Sequence, residues 1–352
     1  MKVYKEFRSP NIFMGSGSVS QLKKIFSDQA NDIINIYLID EFFSESKVEK
    51  SLFGKESDIV IQVSTKEEPK TNQIDSICAD IRSIDKDRIG YVIGFGGGST
   101  LDIAKGVSIL LSNPGKTEDY QGWDLVGRTP IKKIGIPTLS GTGAEVSRTA
   151  VFTSPTKKQG INSLYSMFDT IIIDPDFLKT VPQDQKFFTA MDSFIHSVEA
   201  ISGTYINAFA RSFAKESIEL CKKVFLEGAS DEELMVASLM GGFSIVHSEV
   251  GVCHALSYGL SFGFGVRHGE ANCIIFDKLE EYYPEHFPAF QQMILKNDIV
   301  LRENITSGVS DSLLEKMIDV CLTMEKPLEN ALGQDWRNIM TREKIKELLL
   351  RC

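Results

Sequence analysis

Five short runs in the first half of the chain are apolar almost without interruption: 33–40 (IINIYLID), 58–63 (DIVIQV), 89–95 (IGYVIGF), 132–138 (KKIGIPT) and 170–175 (TIIIDP). Short runs rich in β-branched residues and bounded by polar or glycine-containing segments predict strands buried on both faces. Between them, Asn72–Ser83 and Thr100–Ser112 repeat apolar residues at the three- and four-residue intervals of an amphipathic helix. Strands alternating with helices predict a parallel sheet covered on both sides, a Rossmann-like α/β domain. After about residue 180 the strand signal fades, and Gln185–Ser202, Ala208–Leu226 and Glu232–His247 read as helices. The tail from Asp311 to Arg351 is also helical in pattern, with a break expected near Pro327. The fold class is therefore α/β followed by all-α: a Rossmann-like domain over 1–180 and an all-helical domain over 181–352.

Composition adds exclusions. At 352 residues the chain exceeds what one hydrophobic core usually serves, in keeping with two domains. A formal net charge of -10 argues against general affinity for nucleic acid or an anionic membrane. The six cysteines form no C-x-x-C pair and read as free thiols in a reducing compartment. The opening MKVYKEFRSPNIFMGSGS has no apolar core segment, and no apolar run approaches membrane-spanning length, so the expected location is cytoplasmic.

Candidate chemistry sits in four places. Gly94-Phe95-Gly96-Gly97-Gly98-Ser99 follows a predicted strand and opens a predicted helix. Such a turn lets the backbone approach a pyrophosphate while the helix start offers free N–H groups; the alternative is a tight structural turn. A second loop, Pro137 to Glu145 (PTLSGTGAE), also follows a strand and suits contact with phosphates or a ribose. Asp40 ends the strand at 33–40, where an acid accepts from ribose hydroxyls or serves as a turn residue. Only five histidines occur, and His196 lies four residues after Asp192, a spacing that places both on one helix face about 6 Å apart along the axis. With His254 and His268 they make one carboxylate and three imidazoles, a set suited to Fe²⁺ or Zn²⁺. An N-cap aspartate beside a core histidine is the alternative for the first pair.

The D-x-x-x-H pair followed by H-x(13)-H-G resembles the metal site of the iron-containing alcohol dehydrogenase family. GGGST-x-D-x-A-K, P-T-x-x-G-T-G-x-E and the opening Phe13-x-Gly15-x-Gly17 are similar to other motifs of that family, in the same order. The resemblance implies a dehydroquinate synthase-like architecture and a metal held by Asp192, His196, His254 and His268. It implies that the metal lowers the pKa of a substrate alcohol so that the alkoxide can pass hydride to NAD. It further implies that Gly96, Gly97, Gly98, Ser99 and Asp102 surround the pyrophosphate and its helix. Thr138, Leu139, Ser140 and Thr142 would line the cofactor cleft, with Lys158 near the ribose and Asp40 favouring NAD over NADP. A homodimer is implied as well.

Two departures stand out. Tyr258 occupies the place of a second histidine, where its hydroxyl could pass a proton or simply shape the pocket. Arg267 replaces the proline before the last ligand. It either clamps a substrate carboxylate or points outward to pair with Glu270, and Arg148 could be a second contact. The short chain is also similar to the family branch acting on sugar acids, including oxidation of the terminal primary alcohol of 3-deoxy-D-manno-octulosonate. Alternatives from other classes are a dehydroquinate synthase-like lyase with NAD and a metal, and a non-catalytic sensor on the same fold.

Overall fold

The computed structural model describes residues 8–43 and 55–352; residues 1–7 of the opening segment lie outside it. The strands are β1 (Asn11–Met14), β2 (Ile34–Asp40), β3 (Ile59–Val63), β4 (Ile89–Gly96), β5 (Gly122–Trp123), β6 (Lys133–Pro137), β7 (Thr149–Thr153), β8 (Lys158–Asn162) and β9 (Thr170–Ile173). The first three helices are α1 (Gln21–Phe26), α2 (Thr71–Ile81) and α3 (Gly98–Ser112). Then follow α4 (Gln183–Ser202), α5 (Ala208–Lys222), α6 (Asp231–His247), α7 (Val252–Phe264), α8 (His268–Phe276) and α9 (Phe287–Lys296). The tail holds α10 (Asp311–Thr323), α11 (Glu325–Leu332), α12 (Trp336–Ile339) and α13 (Arg342–Leu349).

Two compact units result. One comprises residues through Leu139 together with Ala144–Phe177; the other comprises Ser140–Gly143 and Leu178–Cys352. In the first, six strands form one sheet in the order β1-β9-β6-β4-β2-β3, parallel throughout. All five predicted strands lie in it. On one face Tyr37, Ile39, Ile93, Phe95, Ile134, Ile136 and Ile172 make a core with Phe43 and Phe177. The Phe95 ring meets those of Phe43 and Phe177 edge-on, with centroids 4.7 and 5.0 Å apart. On the other face α3 packs closely enough that a Cβ at Gly94 would lie 2.8 Å from Ala104 Cβ.

The pattern of apolar residues did not predict β1, nor the second sheet β5-β8-β7, in which β7 and β8 form an antiparallel hairpin. β7 buries only alternate residues, so its five positions carry no continuous apolar run. One helix limit also differs from expectation. α5 ends at Lys222 and gives way to a π turn over Lys223–Glu227, closed by Gly228 in the left-handed region. The tail breaks at Met324, near Pro327 as expected; Pro327 itself lies in the first turn of α11, where no intrahelical N–H is required.

The division near residue 180 falls at Phe177, but the loop PTLSGTG is shared between the units. Its Ser140 hydroxyl donates to the Leu234 carbonyl (2.7 Å), and the Gly141 N–H donates to Ser238 Oγ (2.7 Å). Gly141 has φ +148° and sits so close to α4 that a Cβ there would lie 1.5 Å from the Thr189 carbonyl oxygen. Only glycine fits. Among the described residues no single helix is long and apolar enough to cross a membrane, and all six cysteines are free and buried.

Candidate metal centre

The 20-residue helix α4 carries Asp192 and His196, and one turn further Glu199, all buried and all on one face by their i, i+4, i+7 spacing. His254 lies in the first turn of α7, and His268 is the first residue of α8. Packing of these three helices brings every imidazole Nε2 to one oxygen. Asp192 Oδ1 is 3.1 Å from His254, 3.4 Å from His196 and 3.6 Å from His268. Donors at 2.0–2.2 Å from a tetrahedral ion are separated by about 3.3–3.6 Å, so this spacing is what a Zn²⁺- or Fe²⁺-sized centre requires. The donor atoms of Asp192, His254 and His268 all lie within 4.8 Å of one another. These three fit the ion, while His196 Nε2, 3.4 Å from Asp192 Oδ1, stands outside that mutually close group.

Electrostatics point the same way. Burial alone would raise the Asp192 carboxyl, but His196, His268 and His254 outweigh it and hold it well below the ordinary range. Burial pushes His196 down to about 4, so that imidazole is neutral. Its ring stacks on that of His254 with centroids 4.6 Å apart. Burial would depress His254 too, yet Glu199 and Asp192 raise it to about 10. Two buried carboxylates thus surround a position that takes positive charge, from a proton or from a metal.

Two residues of this centre escaped sequence reasoning. Glu199 Oε2 lies 2.5 Å from His254 Nδ1. Asn272, four residues after His268 on α8, donates from Nδ2 to Asp192 Oδ1 at 2.7 Å and comes within 3.2 Å of His254 Nε2 and 3.3 Å of His268 Nε2. The signal for both was helical spacing from a recognised ligand. Tyr258 stands one turn after His254, its ring edge-on to His268 with centroids 5.5 Å apart. Arg267 is exposed at the N-cap of α8 and makes no ion pair among the described residues. The pairing with Glu270 is not formed, because Arg302 takes that carboxylate at 2.5 and 2.8 Å. Arg148 is likewise committed, to Asp124.

In the α/β unit Gly96 closes β4, Gly97 is the N-cap, and Gly98 and Ser99 begin α3. That helix start has no side-chain cap and no acid in its first turn, so its N–H groups and dipole stay available to an anion. Asp40 ends β2 beside this turn; its Oδ2 accepts from Thr65 (2.9 Å) and Thr100 (3.4 Å), its Oδ1 from the Phe42 N–H (3.0 Å). Thr138 follows β6, its N–H donating to the Gly96 carbonyl (3.0 Å), and Leu139 lies against Gly97. Ser140 and Thr142 belong to the helical unit. Asp102 accepts from the Val151 N–H (2.9 Å) and pairs with buried Lys105 (3.5 Å), tying α3 to β7. Lys158 is buried and paired with Glu68.

Comparison with known proteins agrees with this picture. Residues 9–175 match the model of the iron-containing alcohol dehydrogenases, and residues 186–348 match that family's C-terminal domain. The chain belongs to the iron-containing alcohol dehydrogenase family. A 4-hydroxybutyrate dehydrogenase of Clostridium kluyveri is 31% identical over 292 residues, covering 77% of this chain and 74% of that protein. A sulfoacetaldehyde reductase of Bilophila wadsworthia is 30% identical over 213 residues, covering 58% of this chain and 54% of that protein. For several such relatives the matched stretch spans about half their length. The structure of a sulfoacetaldehyde reductase from Bifidobacterium kashiwanohense in complex with NAD+ superposes with a TM-score of 0.82 at 19% identity, covering 100% and 99% of the two chains.

Proposed function

We propose that the protein is a metal-dependent, NAD-linked dehydrogenase that interconverts a primary alcohol and its aldehyde, acting on a substrate that carries an anionic group. The observation carrying the first part is the convergence of three imidazole Nε2 atoms on Asp192 Oδ1 at 3.1–3.6 Å. A divalent ion held there by Asp192, His196, His254 and His268 supplies Lewis acidity toward the substrate oxygen. Tyr258 stands beside His268 and shapes the space next to the ligands. The uncapped start of α3 receives the cofactor's pyrophosphate, with Gly96, Gly97, Gly98 and Ser99 allowing close approach, and Asp40 accepts from the ribose. Thr138 and Leu139, beside the same turn, add contacts to the dinucleotide; Asp102 and Lys158 serve them indirectly, through the ion pairs they make with Lys105 and Glu68.

The anionic part rests on Arg267, whose guanidinium is exposed and without an ionic partner among the described residues, directly before His268. The names of two relatives point the same way: 4-hydroxybutyrate carries a carboxylate and sulfoacetaldehyde a sulfonate. A sugar acid with a terminal primary alcohol, such as 3-deoxy-D-manno-octulosonate, meets the same description. The lyase alternative is disfavoured, since both halves of the chain match dehydrogenase models.

The test is NADH absorbance after anaerobic reconstitution with Fe²⁺ or Zn²⁺, across neutral alcohols, 4-hydroxybutyrate and sugar acids. Metal-dependent NADH with acidic substrates is expected. NADH from neutral alcohols alone would remove the anion role, and no NADH from metal-loaded, NAD-bound protein across the panel would overturn the dehydrogenase reading.

A further inference from the structure

We infer that Glu199 is a positioning residue for the metal centre: it holds the Nδ1 proton of His254, so that the Nε2 lone pair is the one presented to the ion. The inference rests on the metal reading above and adds to it a residue that touches neither ion nor substrate.

Four observations carry it. Glu199 lies on the same face of α4 as Asp192 and His196, one turn beyond, and its carboxylate is fully buried. Each of its oxygens has a defined task. Oε2 faces His254 Nδ1 at 2.5 Å, while Oε1 accepts from the Cys253 N–H (2.6 Å), from the Tyr283 hydroxyl (3.0 Å) and at 3.4 Å from the His254 N–H. The Tyr283 oxygen in turn accepts from the Val252 N–H (3.2 Å), which leaves its own proton for Glu199. Every group around Oε1 is therefore a donor, and the carboxylate also caps the start of α7, the helix that bears His254.

Within the stacked pair of imidazoles the arrangement belongs to His254. His196 Nδ1 is buried with no partner among the described residues, so nothing fixes that ring's tautomer from behind. His254 alone of this stacked pair is anchored on both nitrogens. Charge completes the argument. A buried divalent ion with one carboxylate leaves an excess of one positive charge, and Glu199 brings the cluster to neutrality. Carboxylates behind a ligating histidine typically contribute about 10- to 100-fold in metal affinity.

The informative substitution is Glu199→Gln. The Cys253 N–H can only donate, so the glutamine carbonyl settles at the Oε1 position and its NH₂ faces His254 Nδ1. That forces Nδ1 to accept and places the proton on Nε2, the wrong tautomer for ligation. Co²⁺ binding to the metal-free full chain, followed by its visible absorption, should weaken about 10- to 100-fold in this variant. Tyr283→Phe removes one donor only and should weaken binding less. The second readout is on the unaltered protein: assigned long-range ¹H–¹⁵N spectra of the Zn²⁺-loaded chain should show a strongly downfield Nδ1 proton on His254. Wild-type affinity in the glutamine variant, or no hydrogen-bonded Nδ1 proton on His254 in the loaded wild type, would overturn the inference; the spectrum decides it even where the variant does not fold. Failure of the wild type to bind Co²⁺ or Zn²⁺ would instead count against the metal reading itself.

Discussion

Replacing Asp192 with asparagine keeps the shape of the side chain and removes the one charge that three imidazoles share. Oδ1 is 3.1–3.6 Å from all three Nε2 atoms, and the side chain is almost wholly buried. Removing one partner of a buried charged pair costs about 3–5 kcal/mol. At about 1.4 kcal/mol per tenfold, Co²⁺ or Zn²⁺ affinity should fall by roughly two to three and a half orders of magnitude. Equilibrium dialysis against buffered metal measures this directly, with NADH formation at saturating metal as a second readout. The metal-free variant should keep its helical circular dichroism, because Asp192 caps no helix. Its stability should also respond differently to acid. The carboxyl is held below its ordinary value of 3.8, so its ionised form stabilises the fold above that pH and the contribution fades as pH falls. The gap in Tm between metal-free wild type and Asp192→Asn should therefore narrow below about pH 4. Metal affinity within tenfold of wild type, with activity retained, would refute the four-ligand centre.

Three further outcomes are expected. Arg267→Gln should raise KM for carboxylate substrates about 10- to 100-fold, the worth of a charge-assisted hydrogen bond, and leave neutral alcohols nearly unchanged; steady-state kinetics on matched pairs decides it. On the proposed ribose role of Asp40, Asp40→Gly should narrow the preference for NAD over NADP by at least about tenfold in kcat/KM, since an acid at that position repels a 2′-phosphate. Gly141→Ala should destabilise the fold by about 3 kcal/mol or more, because the new methyl meets the Thr189 carbonyl; thermal melts against wild type measure it.

Much of the architecture could be read directly from the chain. Strands buried on both faces are nearly continuous in apolar residues, so β2, β4, β6 and β9 were visible as runs; the edge strand β3 was visible by its apolar content although half-exposed, and the long helices by their period. What was hidden was short or half-exposed: β1 has four residues, and β7 buries only every second one. The break near Pro327 was legible too, since a proline is tolerated in a first turn and so marks a helix start close by.

The candidate centre divides along the same line. Asp192 and His196 could be paired from sequence because a helix makes residues four apart neighbours whatever surrounds it. His254 and His268 belong to two further helices, and only their packing against α4 brings their nitrogens to Asp192. The partners of Glu199 and Glu270 were likewise set by residues distant in sequence. Glu199 meets an imidazole 55 positions away, whereas Glu270, the acid nearest Arg267 in sequence, is taken by Arg302. Local spacing thus determined which residues could act together, while side-chain pairing, which depends on what tertiary packing places within about 3 Å, decided which of them do.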